Sequence, residues 1–311
     1  MISPKQNTLT GTGDGLCLLM KQTGIGDDVH AIPSLSQLDD ATIFCRPFTR
    51  KALQRTGART FEVRDNTAYN VNGYEDFPEE IPLDLSFYHL YKSRFGKIIS
   101  LNSWSCWDTD EVGYSRTGML EYFAELIGVT LPDEFSYREF FGLREREPKD
   151  YILYIPESTE NWRTIPKDQA RMLGVLLGRN FPNVIPLKHC ETFEEMINVV
   201  DGAKAVVSVE NGVLNLAAAL GVPVVGLHGA TSPDHTIDRL KRYGEFKEEN
   251  VLGSPPPQCK YPCYRKHERG MQWVKTNAGR EQRCCGLYHE PKCLVQLDRE
   301  AVVEALINIG E

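Results

Sequence analysis

Short apolar runs recur along the chain, and most are followed by a segment with helical spacing. In the first half the runs are LCLLM at 16–20, ATIFC at 41–45 and KIISL at 97–101, with a shorter one at 60–63. In the second half they are YILYI at 151–155, VIP at 184–186, AVVSV at 205–209 and VPVVGL at 222–227. Runs this apolar and β-branched suit strands buried on both faces, as in a parallel sheet. Helices are expected at 31–35, 50–57, 119–127, 166–179, 192–201, 213–220 and 299–309. Gly57, Gly128, Gly202 and Gly221 stand as helix stops, Pro223 bars continuation, and Asp298 caps the last helix. Strand and helix therefore alternate in both halves, which predicts βαβ units and two doubly wound α/β layers. Residues 65–95, rich in aromatic and acidic groups, show no clear period. Residues 132–150, ending LREREPKD, show none either and mark the boundary between the halves.

Two strand-to-helix turns carry polar chemistry. The first is KQTGIGDDVH at 21–30, where Gly24 and Gly26 allow a ligand to approach the backbone and Asp27 or Asp28 falls near a helix start. An aspartate there serves as an ordinary helix cap or as an exposed carboxylate. The spacing is neither a P-loop nor a full GxGxxG, so it gives little support to ATP or NAD. The second is VENGVLN at 209–215, where Glu210, Asn211 and Asn215 gather at a helix N-terminus, a natural place for a phosphate. Between them, the polar loop 156–164 (PESTENWRT) offers Ser158, Thr159 and Arg163 as further phosphate contacts.

The chain has 311 residues, enough for two domains, with 41% hydrophobic and 25% charged residues, a normal globular balance. No run approaches the length of a membrane span, and the first residues lack a secretory pattern, so a cytoplasmic location is expected. The formal charge of −8 gives no general pull toward nucleic acid.

KQTGIGDDVHAIPSL resembles the N-terminal loop of the heptosyltransferase-like glycosyltransferase family 9, and VVSVENGVLNLAAALGVPVVGLHGATSP resembles that family's donor motif. IPESTENWRTIP lies between them in the expected order, so the resemblance spans roughly residues 16–305. It implies the GT-B fold: two Rossmann-like doubly wound domains facing a central cleft. The acceptor domain would be 1–148, the nucleotide-sugar domain 149–296, and a C-terminal helix in 297–311 would brace the two. It implies inverting, metal-independent sugar transfer from a nucleotide-diphosphate sugar to an acceptor hydroxyl, on a glycan, a lipid-linked saccharide or similar. Asp27 would be the general base. Thr23, Gly24, Gly26, Ser158, Thr159, Arg163, Glu210, Asn211, Gly212 and Asn215 would line the donor and its phosphates. This chain departs from the family pattern: Glu210 replaces Asp, Asn211 replaces Thr and Asn215 replaces His. Those departures motivate a competing expectation, a sugar-nucleotide-binding protein without turnover.

Five of the nine cysteines, Cys259, Cys263, Cys284, Cys285 and Cys293, cluster near the C-terminus. Thiolates at such spacing suit a structural zinc that staples a loop poor in apolar residues, with reduced thiols and disulfides as the other readings. No cofactor is expected for catalysis. Between Cys259 and Cys293, eight basic residues stand against three acidic ones, a local balance of +5, with Tyr261, Tyr264, Trp273 and Tyr288 interleaved. Such a surface suits an anionic acceptor, nucleic acid included, and motivates the alternative of a phage-type DNA glycosyltransferase acting on hydroxymethylated bases.

Overall fold

The apolar runs of both halves form parallel strands in a computed structural model of the chain. It describes residues 8–10, 12–20, 24–38, 40–83, 85–101, 119–159, 163–229, 233, 237–253, 271–275, 281–285 and 292–310. The first domain contains β1 (Thr8–Thr10), β2 (Gly15–Met20), α1 (Ile25–Leu35), β3 (Ala41–Cys45), α2 (Pro47–Gln54), β4 (Arg59–Arg64), β5 (Thr67–Tyr69), β6 (Glu80–Pro82), α3 (Leu85–Tyr91) and β7 (Phe95–Ser100). Next come α4 (Met119–Ile127) and α5 (Tyr137–Phe140). The second domain contains β8 (Ile152–Ile155), α6 (Lys167–Asn180), β9 (Val184–Pro186), α7 (Phe193–Asp201), β10 (Ala205–Val209), α8 (Gly212–Ala219), β11 (Val224–His228), α9 (Ile237–Leu240) and β12 (Glu248–Leu252). A hairpin of β13 (Met271–Lys275) and β14 (Glu281–Cys285) precedes α10 (Lys292–Val295) and α11 (Arg299–Gly310).

The first sheet has the order β1-β7-β2-β3-β4-β5-β6, and the second β12-β11-β10-β8-β9. In the first, β7, β2, β3 and β4 run parallel, while β1, β5 and β6 join antiparallel at the two edges. The second sheet is parallel throughout. Side chains of successive strand residues leave opposite faces, and the cores follow that alternation. Leu18 and Met20 of β2 join the inner core, and Cys17 the outer one. Val206 of β10 points inward, whereas Ala205, Val207 and Val209 pack outward.

Residues 65–95, which showed no clear period, form an antiparallel edge. The turn from β4 to β5 is two residues long, and Asp65 adopts φ 53°, a left-handed conformation that Asp tolerates better than most side chains. Asn70 then knits the loop before β6 by donating to the carbonyls of Tyr74 and Phe77 at 2.8 and 3.1 Å and accepting from the Tyr74 amide at 2.9 Å. The aromatic residues of this region cover the outer face of the first sheet, where Phe61 packs against Phe44 and Phe77.

Residues 132–150 strap the two domains together. Tyr137 donates to the carbonyl of Val29 in α1, and Tyr243 of the second domain donates to that of Pro132, both at 3.0 Å. Arg138 pairs with Asp201 and also donates to the Leu220 carbonyl, and Arg146 donates to the carbonyls of Asp201, Ala203 and Lys204. The arginines of this aperiodic stretch thus cap backbone at the ends of α7 and α8.

One hydrophobic core runs from the inner face of the first sheet through α1, α4, α7 and α8 to the inner face of the second. Phe48 of α2 meets Phe193 of α7 edge-on at 5.8 Å. By contrast, α11 lies on the outer face of the second sheet, with α6 beside it, where Val302 and Leu306 are buried. The sequence reading expected this helix to brace the two domains. Its apolar stripe, Val302, Val303, Ala305, Leu306 and Ile309, is instead buried on its own domain's sheet, because the residues that it meets there are the apolar outer face of β8, β10 and β11.

Candidate active site at the meeting of two helix starts

The strand-to-helix turns singled out in the sequence come together across the domain boundary. Helix α1 starts at Ile25, earlier than its apolar pattern shows, so Asp27 sits in its first turn. Asp27 Oδ2 accepts the Gly24 N–H at 2.6 Å, and its side chain is half-buried. Asp28 turns inward, is fully buried, and pairs with Arg46 at 3.2 Å. The two aspartates are thereby told apart: Asp28 holds α1 to the segment after β3, and Asp27 stays half-buried against the start of its own helix.

Helix α8 of the second domain begins directly opposite. A Cβ on Gly26 would lie 2.6 Å from Asn215 Nδ2 and 3.4 Å from the Gly212 Cα. A Cβ on Gly212 would lie 2.6 Å from the Ile25 Cβ and 2.8 Å from the Gly26 N. Only glycine lets the two backbones approach this closely. Both helices direct the positive ends of their dipoles toward this contact.

Asn211 caps α8, its Oδ1 accepting from the Val213 and Leu214 amides at 2.9 and 3.0 Å. Those two first-turn amides are therefore engaged within the protein. Asn211 Nδ2 donates to the Glu157 carbonyl at 2.9 Å, which ties the loop after β8 to α8. In that loop Ser158 is half-buried and Thr159 exposed. Thr164 closes the loop by accepting from the Ser158 amide at 3.0 Å and donating to the Ser158 carbonyl at 3.1 Å. Arg163 forms an ion pair with the buried carboxylate of Glu210. Thr23 lies outside the described residues.

Sequence reading missed His30. It is fully buried, and its Nε2 lies 3.4 Å from Asn215 Oδ1 in the other domain. Burial pushes its imidazole down from the usual 6.5 to about 4, against smaller upward pulls from the Asn215 hydrogen bond and the Glu210 charge. The signal was available: His30 falls three residues after Asp27, on the same face of a helix.

Of the clustered cysteines, Cys259 and Cys263 lie outside the described residues, as does most of the basic stretch around them. Cys284 and Cys285 stand in β14. Cys293 in α10 is buried under the Gly229 backbone, where an added Cβ would come within 3.1 Å of its sulfur. Among the described residues no group of three or more His, Cys, Asp or Glu is placed to hold a metal, and no helix is long and apolar enough to cross a membrane.

Residues 190–266 match the family profile of glycosyltransferase family 9 (heptosyltransferase). Lipopolysaccharide heptosyltransferase 1 of Salmonella typhimurium is 38% identical over 142 residues, covering 36% of this chain and 44% of that relative. The chain thus matches less than half the length of that curated relative. Among solved structures, the E. coli ADP-heptose lps heptosyltransferase II aligns with a TM-score of 0.52 at 13% identity, covering 95% of this chain and 98% of that one. The dodecameric iron-containing heptosyltransferase TibC, from enterotoxigenic E. coli, aligns in its complex with ADP-D-beta-D-heptose. The TM-score is 0.57 at 10% identity, covering 97% of this chain and 77% of that one. At such identities these structures speak for the fold alone, and the fold they share with this chain is GT-B, two Rossmann-like domains. The second domain thus carries a stretch similar to the heptosyltransferase-like glycosyltransferase family 9, and the chain as a whole shares the GT-B fold of solved heptosyltransferases.

Proposed function

We propose that the chain is an inverting glycosyltransferase that moves a sugar from a nucleotide-diphosphate donor to an acceptor hydroxyl. The observation that carries this reading is the abutment of α1 and α8 at their N-termini, with Asp27 on one and the Arg163–Glu210 pair beside the other. Two helix starts aimed at one place favour an anion there, and a guanidinium adds a planar fork for phosphate oxygens.

In this reading Asp27 is the general base. Its carboxylate takes the proton of the acceptor hydroxyl while that oxygen attacks the anomeric carbon, and the bond to the diphosphate breaks on the opposite face. A single in-line displacement inverts the configuration. The leaving diphosphate is held by Arg163, by Ser158 and Thr159, and by the backbone at Asn211 and Gly212, with Thr23 and Gly24 approaching from the other domain. Glu210 and Asn215 face the sugar. In this reading no metal takes part in the transfer. TibC in complex with ADP-D-beta-D-heptose makes ADP-sugars the first donors to try.

The test begins with a thermal-shift screen of nucleotide sugars, since a bound donor raises the melting temperature with occupancy. With the donor in hand, Asp27→Asn is expected to reduce transfer by about 10²–10⁴-fold while keeping the donor-induced shift. Full transfer by that variant would remove Asp27 from the mechanism. A second reading, a sugar-nucleotide binder without turnover, draws on the engagement of Asp27 with Gly24 and of Arg163 with Glu210. A wild-type chain that binds its donor yet transfers to no hydroxyl would favour it.

The proposal includes a structural metal on the cysteine cluster. Thiolates suit zinc or iron, burial shields Cys293 from solvent, and TibC is described as iron-containing. Elemental analysis of the purified chain should find zinc or iron, with occupancy falling in Cys293→Ser. A folded wild-type chain free of both metals would overturn this part.

A further inference from the structure

Helices α1 and α8 belong to different domains, and one hydrogen bond between buried side chains joins them. Asn215 Nδ2 donates to the Asn211 carbonyl at 3.1 Å, so the amide oxygen of Asn215 faces His30. The ring hydrogen of His30 therefore resides on Nε2, which donates across the domain boundary. His30 Nδ1 is buried with no hydrogen-bond partner among the described residues. An apolar side chain would fill this place without leaving a bare acceptor. What the imidazole adds is the bond to Asn215.

From Asn215 the connection continues without a gap. Asn215 holds the Asn211 carbonyl, Asn211 caps α8 and reaches the Glu157 carbonyl, and the next residue, Ser158, is locked by Thr164. On its own helix His30 lies one turn beyond Asp27. Both loops that face the donor in the proposed function are thus linked through side chains to the helix that carries the proposed base.

We propose that His30 is a positioning residue: its bond to Asn215 registers the start of α1, with Asp27, against the two phosphate-facing loops of the second domain. The proposal rests on the transferase reading only for what those loops bind. Loop order and the placement of Asp27 then change together.

The test is amide hydrogen exchange on the ligand-free 311-residue chain. Replacing His30 by Met should raise exchange several-fold at Ser158, Val213 and Leu214 in the other domain, while β8 and β10 keep their protection. His30→Gln, whose Nε2 replaces that of the ring, should restore the wild-type pattern. Asn215→Ala removes the same bond from the other side, so it carries the test if His30→Met does not fold. Unchanged exchange at those three amides would overturn the proposal, as would a uniform rise through both domains or a failure of Gln to restore. Since no ligand is present, these results stand whether or not transfer is found, and a failed transfer assay leaves them readable.

Discussion

At the scale of single residues, chemistry at the junction is set by which neighbours the backbone brings near. Asp27 and Asp28 are adjacent and identical, yet one is half-buried against the Gly24 amide and the other is fully buried against Arg46. His30 shows the energetic side of such placement. Its folded pKa, about 4, lies below the ordinary 6.5 because the charged form would be stripped of water. The unfolded chain therefore binds more protons than the native one between those values, and stability falls as pH drops from 6.5 toward 4. This group alone should remove about 2 kcal/mol between pH 7 and pH 5. Urea denaturation of wild type and His30→Gln at both pH values isolates it: the wild type should lose more stability than the variant by about that amount, and equal losses would show that the ring is not held neutral.

At the scale of elements, the two sheets are built by the same rule but finished differently. Uniformly apolar runs make the central strands, and their neighbours in sequence make helices. The edge β5–β6 of the first sheet comes instead from short strands whose order depends on the Asp65 turn, the Asn70 hydrogen bonds and aromatic packing. Three-residue strands carry too little periodicity to be read from sequence. Helix α11 belongs to the second domain through its buried stripe. Leu306→Ala should destabilise the protein by about 2–5 kcal/mol, as emptying a packed core position does. Ile307→Ala, at an exposed neighbour, should change stability by less than about 0.5 kcal/mol. Chemical denaturation of both variants checks this, and similar effects would mean that α11 does not pack as described.

At the scale of the whole molecule, the two domains share a core instead of merely facing each other. Phe193 of α7 packs on both Phe48 and Phe141, and the arginines of 132–150 fasten the same seam. A boundary this apolar couples the folding of its two sides. Calorimetry should show one cooperative transition, and ellipticity in the near and far ultraviolet should change together. Two resolved transitions in the wild type would mean that the domains unfold independently. Phe193→Ala, expected to cost about 3–5 kcal/mol, should move the single transition down as a whole.

The amino-acid sequence by itself determined the alternation of strands and helices, the helix stops, and the two polar turns on which the family resemblance rests. These are local properties: hydrophobic period, glycine at helix ends and polar groups at helix starts act over a few residues. Tertiary structure decided which aspartate is buried against Arg46, that Arg163 meets Glu210, that His30 reaches Asn215, and that α11 covers its own sheet. Each of those depends on atoms far apart in the chain, brought together only when the apolar faces of two sheets are buried at once.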